Sequence, residues 1–136
     1  MDPGELTPYE LFGMHPVLAV PDVLATLAFY RDKLGFTIDF VHGDPPEHAR
    51  VVADPTYASP TVHVRFEPLA PGAEVNPSVY LFLHVARDLD RLFETYVERG
   101  VQSHLAPQDQ PWGLRQFIVE DCNGYLLSFS QEIAAS

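Results

Sequence analysis

The residues able to do chemistry are few, and their types limit what chemistry is possible. Six histidines are spread along the chain, with one cysteine, Cys122, and no glycine-rich phosphate loop. Cys122 stands between Asp121 and Asn123. An acidic neighbour disfavours a thiolate, and no paired base is evident, so a cysteine nucleophile is not expected. Ser128 has no base adjacent in sequence, and the Glu120–Asp121 pair reads as a solvated turn rather than an acid–base couple. His42, His48 and His104 read as loop or edge residues. No catalytic residue is assigned. The aromatics say more. Trp112 is the only tryptophan, set between Pro111 and Gly113 in a loop. A loop tryptophan needs burial or a partner for its apolar area, and stacking on a planar ligand supplies one.

The elements that must position these residues show one grammar used twice. Met14–Val20 is an apolar run read as a strand. Asp22 is an expected helix N-cap, because its carboxylate can accept from free first-turn amides. Val23, Leu24, Leu27, Tyr30 and Leu34 follow at helical spacing, and Gly35 is the stop. Segments 36–41, 49–53 and 61–66 read as strands. The order then recurs. Residues 79–85 form a strand, Asp88 the next cap, Leu89, Leu92, Phe93, Tyr96 and Val97 a helical stripe, and Gly100 the stop. Strands are expected at 101–105, 115–119 and 125–129, with Asn123–Gly124 as a two-residue hairpin turn. The helix stops Gly35 and Gly100 lie 65 positions apart, which suggests two copies of one unit.

The expected fold is therefore α+β: two βαβββ repeats forming a curved mixed sheet with a cleft, paired in a homodimer. Residues 1–12 read as a tail, 13–67 as the first module, 68–77 as a linker and 78–136 as the second module, in a single domain of 136 residues overall. Open sheet edges invite pairing across a two-fold axis.

Composition narrows the partners. The net charge is −11, from 8 basic and 19 acidic residues. That argues against a nucleic-acid partner, which needs lysine and arginine clusters, and it would draw cationic ligands at long range. No apolar run reaches the length of a membrane span, and the acidic N-terminus does not resemble a secretory signal. One cysteine excludes an internal disulfide and fits a reducing cytoplasm.

The segments HPVLAVPDVLATLAFYRDKLGF (15–36), VARDLDRLFETYVERGV (85–101) and QPWGLRQFIVEDCNGYLLSF (110–129) resemble the glyoxalase/bleomycin resistance/extradiol dioxygenase superfamily, the vicinal oxygen chelate proteins. PVLAVPDV (16–23), LGFTIDFV (34–41) and QPWGLRQF (110–117) are most similar to its bleomycin-binding resistance proteins. The resemblance implies a non-enzymatic homodimer that sequesters a cationic aromatic drug. Trp112 matches the residue that stacks on the drug, and Phe40 an aromatic flanking the same groove. His15, Arg65, Phe66, Tyr80 and Ser128 complete the expected ligand-binding set. The segment 42–61 is longer than in those relatives and puts specificity for bleomycin itself in doubt.

Metal-using members imply another reading: a divalent-metal lyase, isomerase, dioxygenase or thiol transferase. His15 stands where a first-strand ligand would fall, but the matching later positions are Val79 and Ser128, neither a convincing ligand. His84, five residues past Val79, is expected to face away. A substitute site from His15, His63 and Glu132 would need a shifted register. The expected protein therefore uses no metal and no cofactor, and it binds an aromatic, cationic small molecule. An accessory role toward a protein partner is the remaining alternative.

Overall fold

A computed structural model describes residues 11, 13–56 and 62–134. The expected tail, 1–12, lies outside these apart from Leu11, as does Thr61 at the start of an expected strand. The first module runs β1 (Val17–Val20), α1 (Val23–Asp32), β2 (Thr37–His42), β3 (His48–Val52) and β4 (His63–Pro68). The second runs β5 (Tyr80–His84), α2 (Leu89–Glu98), β6 (Gln102–Asp109), β7 (Leu114–Glu120) and β8 (Leu126–Glu132). Each forms a four-stranded mixed sheet with the same topology, β1-β4-β3-β2 and β5-β8-β7-β6. In each, the first strand pairs parallel with the last, and the remaining pairs are antiparallel. The α+β fold of two βαβββ repeats is thus present.

Local signals explain most of the boundaries. Asp22 caps α1, accepting from the Ala25 amide at 3.0 Å. Gly35 and Gly100 both adopt φ +83°, the left-handed region that lets a chain leave a helix cheaply. Beyond them Phe36 N–H reaches Tyr30 O and Val101 N–H reaches Tyr96 O, each at 2.9 Å.

Two expectations fail here. Asp88 is not a side-chain cap. It sits at φ 60°, ψ 37° with no capping hydrogen bond. Its carboxylate lies 3.9 Å from Arg87 Nε, and the Leu89 amide donates instead to Gln131 Oε1 on β8 at 3.0 Å. Nor do Asn123–Gly124 make a two-residue hairpin turn. The last cross-strand pair is Glu120–Leu126, so residues 121–125 all form the loop. The Asp121 side chain organises it, accepting from the Asn123 amide at 2.8 Å and the Tyr125 amide at 2.9 Å. This self-folding is stronger than the local preference of Asn-Gly for a tight turn.

The helix-facing sides of both sheets share one core, which includes Leu27, Tyr30 and Phe66 from the first module and Tyr96, Phe117 and Phe129 from the second. Tyr30 meets Phe66 edge-on at 4.9 Å, and Phe117 stacks on Phe129 at 4.9 Å. Polar contacts join the modules around that core. Tyr30 Oη donates to Asp121 Oδ2 at 2.7 Å, and Tyr125 Oη donates to Ala19 O at 2.7 Å. Asn123 Nδ2 donates to Thr26 Oγ1 at 2.9 Å, and Tyr96 Oη to Leu34 O at 2.9 Å. Burial, then the charge of Asp121, holds the Tyr30 phenol well above its ordinary pKa, so it remains a donor at neutral pH.

Tyr30→Phe removes the hydroxyl that donates to a buried carboxylate and is expected to cost about 1–3 kcal/mol in urea unfolding with an unchanged slope. Burial also raises the Asp121 pKa, against the hydrogen bonds that lower it. The native state then holds a proton in the window where the unfolded chain has lost it. The stability from that proton is fully present below the unfolded pKa of about 3.9 and is lost as pH rises through the folded value. Asp121→Asn cannot titrate, so the wild type should gain on this variant as pH falls from 7 towards 4. Paired melting curves across that range check the sign.

Candidate ligand-binding cleft

The sides of the sheets turned away from the helices carry the remaining polar and aromatic residues. Strand register sorts the first sheet into rows. Phe40 pairs with Arg50, Arg50 with Arg65, and Arg65 with Val17, making one row across β2, β3, β4 and β1. A neighbouring row holds Thr37, Val52 and His63. A register shift between Ile38 and Phe40 marks a bulge at Asp39. It aims the Asp39 carboxylate at Arg50, whose Nε donates to Asp39 Oδ2 at 2.8 Å, with Nη2 on the same oxygen. Both guanidiniums lie over the Phe40 ring, Arg50 at 5.4 Å and Arg65 at 5.2 Å from its centroid.

The second sheet contributes β5. Tyr80, Phe82 and His84 alternate onto one side of this strand with period two. Between β5 and the starts of β1 and β4 lies a cleft of about 710 Å³, lined on one wall by His15, Pro16 and His63 and on the other by Tyr80, Phe82 and His84. Met14 also lines it. The His15 and His63 rings lie 4.6 Å apart, and Arg50 Nη1 approaches His63 Nδ1 at 3.4 Å. Desolvation, followed by the nearby charges of His15, Arg50 and Arg65, lowers the His63 pKa. His63 is therefore a neutral ring at pH 7, able to accept from Arg50.

Of the residues expected from sequence, His15 and Tyr80 reach this cleft, Tyr80 at 60% exposure. Arg65 and Phe40 stand in the adjoining row. The other three do not line the cleft. Phe66 is 0% exposed, because its strand neighbour Arg65 takes the open side and alternation sends Phe66 against Tyr30. Ser128 is 2% exposed, covered by its strand neighbours and accepting from Gln116 Nε2. Trp112 is 64% exposed on the β6–β7 turn, outside the cleft-lining residues of its own chain. His84 does line the cleft, contrary to expectation, because β5 starts at Tyr80 and its alternation counts from there. Phe82 and Arg50 were not anticipated. Alternation from Tyr80 points to Phe82, whereas the ion pair of Arg50 depends on a bulge with no sequence signature.

With this geometry in view, the chain can be compared with known proteins. A family model described as "Glyoxalase/Bleomycin resistance protein/Dioxygenase superfamily" matches residues 14–129. The chain belongs to this superfamily. A sequence comparison with curated proteins finds no match. Solved structures share the superfamily fold. One is TioX from Micromonospora sp. ML1, at 22% identity and TM-score 0.72, with 90% of this chain and 100% of that chain covered. Another is TnmS3, described as an antibiotic binding protein from Streptomyces sp. CB03234, at 22% identity and TM-score 0.73, with 90% and 97% covered. A glyoxalase-related enzyme from Clostridium phytofermentans aligns at 21% identity and TM-score 0.77, with 97% and 100% covered. The superfamily fold thus hosts both binders and enzymes, and the site must decide between them.

The metal chemistry of some superfamily members needs several ligands converging on one point. His15 and His63 supply two imidazoles. Among the described residues no group of three His, Cys, Asp or Glu side chains could hold an ion. The Arg50 guanidinium beside His63 adds repulsion toward any divalent cation there. Among the described residues, no third donor of these types joins His15 and His63.

The sign of the His63 shift is directly checkable. In a histidine-resolved NMR titration, His63 should titrate below the ordinary imidazole range of about 6.5. Arg50→Met removes one of the cations that lower it and should move the value upward.

Proposed function

We propose that this protein binds a planar aromatic small molecule without covalent chemistry and without a metal, in the cleft between β1, β4 and β5. The observation that carries the reading is the composition of the cleft wall. Tyr80, Phe82, Met14 and Pro16 offer apolar and aromatic surface, His15, His63 and His84 offer ring edges, and among the described residues no acidic side chain or thiol lines it. A site of this volume with few polar groups suits a drug-sized ligand. Nucleophilic catalysis lacks a candidate. Cys122 lies at the 121–125 loop, where burial and the Asp121 charge raise its pKa. A structural neighbour described as an antibiotic binding protein agrees with sequestration.

The net charge of −11 draws cations at long range, but the local field at the cleft has the opposite sign. Arg50 contacts His63, and Arg65 pairs with Arg50 on the next strand, so the nearest charges to that end of the cleft are positive. A homodimer is part of the same reading, with a second copy closing over the cleft so that Tyr80 and Phe82, exposed in one chain, line a shared ligand groove.

Calorimetric titration with a panel of planar aromatic antibiotics, bleomycin included, tests this function. Saturable binding with the compound recovered unchanged, and with the same affinity after chelator treatment, is the expected result. Phe82→Ala should weaken binding by about tenfold, the loss of one aromatic contact worth roughly 1–1.5 kcal/mol. Turnover of the compound, or affinity that vanishes with chelator, would sink the reading.

A further inference from the structure

Among the described residues no acidic side chain pairs with Arg65. Its guanidinium is laid on Phe40, and its Nε is buried without an acceptor. The nearest cross-strand partner is another cation, Arg50. The carboxylate that could have served both, Asp39, is engaged by Arg50 through two nitrogens. Glu67, two residues along β4, is exposed and forms no ion pair with Arg65 among those of the described residues. The adjoining imidazole, His63, is held neutral and brings no negative charge. Native proteins rarely leave a half-buried cation in this state, because desolvation without compensation costs free energy.

From this we infer that the ligand of this cleft carries an anionic group, a carboxylate, sulfonate or acidic phenolate, that docks against Arg65 at the β4 end of the site. The inference rests on the small-molecule reading above and names the chemical class that fits it. Phe40 underlies both guanidiniums, so it acts as a platform that fixes Arg65 rather than as a free stacking face. Nε is the one Arg65 nitrogen found buried without a partner among the described residues, and the terminal nitrogens of a guanidinium form the planar fork that matches a carboxylate. The next row holds the His63 ring, and the far wall holds Tyr80 and Phe82, so an aromatic body and an anionic end can be engaged together. The site is thus selective against the cations that the overall charge attracts.

The test uses three probes of one shape: 2-naphthoate, 2-naphthamide and 2-naphthylmethylammonium, titrated by calorimetry into the full chain at fixed ionic strength. Naphthoate should bind at least about tenfold tighter than the amide, and the ammonium weakest, as a charge-assisted fork requires. In Arg65→Met the naphthoate-to-amide ratio should collapse to near one. Arg65→Lys keeps the charge but not the fork, and should give an intermediate ratio. Arg31→Met, on the solvent side of α1, should keep the full preference. Thermal midpoints establish that each variant is folded, and the lysine variant decides if the methionine variant is not. Equal affinity for naphthoate and amide in the wild type, or an unchanged ratio in a folded Arg65→Met or Arg65→Lys variant, overturns the anion inference while leaving the cleft reading intact. Failure of all three probes to bind at millimolar concentration overturns the cleft reading itself.

Discussion

A single buried carboxylate holds the two halves of this protein in one geometry. Asp121 spends one oxygen on the phenol of Tyr30 in the first module and the other on two amides of its own loop in the second. Each contact compensates part of the cost of taking a charge out of water. The loop so formed carries Asn123 and Tyr125 to Thr26 and to the Ala19 carbonyl on the first module. Because the cleft lies between β5 of one module and β1 and β4 of the other, its width depends on this junction.

Repetition explains why such a junction is needed. Each βαβββ unit covers one side of its sheet with a helix and leaves the other side open. The helix-facing sides share one core, so the open sides become the working surface. In the first sheet that surface is basic, with Arg50 and Arg65 side by side on Phe40. In the second it is aromatic, with Tyr80 and Phe82. The two open sides thus differ in character, one carrying cations and one aromatics, although the overall charge is strongly negative.

The net charge and the site charge therefore describe different things. A field summed over the whole surface governs encounter, whereas affinity follows the groups within a few ångströms of the ligand. The bulge at Asp39 is the device that separates them here. It assigns the one nearby carboxylate to Arg50 and leaves Arg65 open.

Much of the architecture was legible in the chain itself. Helix periodicity, the Asp22 cap and the glycine stops at Gly35 and Gly100 act within one or two turns, so local sequence determined the α/β order and its duplication. His15, from the resemblance over 15–36, and Tyr80, the neighbour of Val79, both lie at the cleft. Non-local choices were not legible. The capping of α2 by Gln131, the folding of residues 121–125 around Asp121 and the exclusion of Phe66 from the cleft all depend on partners distant in sequence. So does the facing of His84, which alternation assigns only once the start of β5 is known. The local sequence determined which elements form, because a helix or strand is written in the spacing of its own residues. Only the tertiary structure decided which of the two neighbouring arginines Asp39 pairs with, because that depends on where a bulge on one strand sends a carboxylate relative to two others.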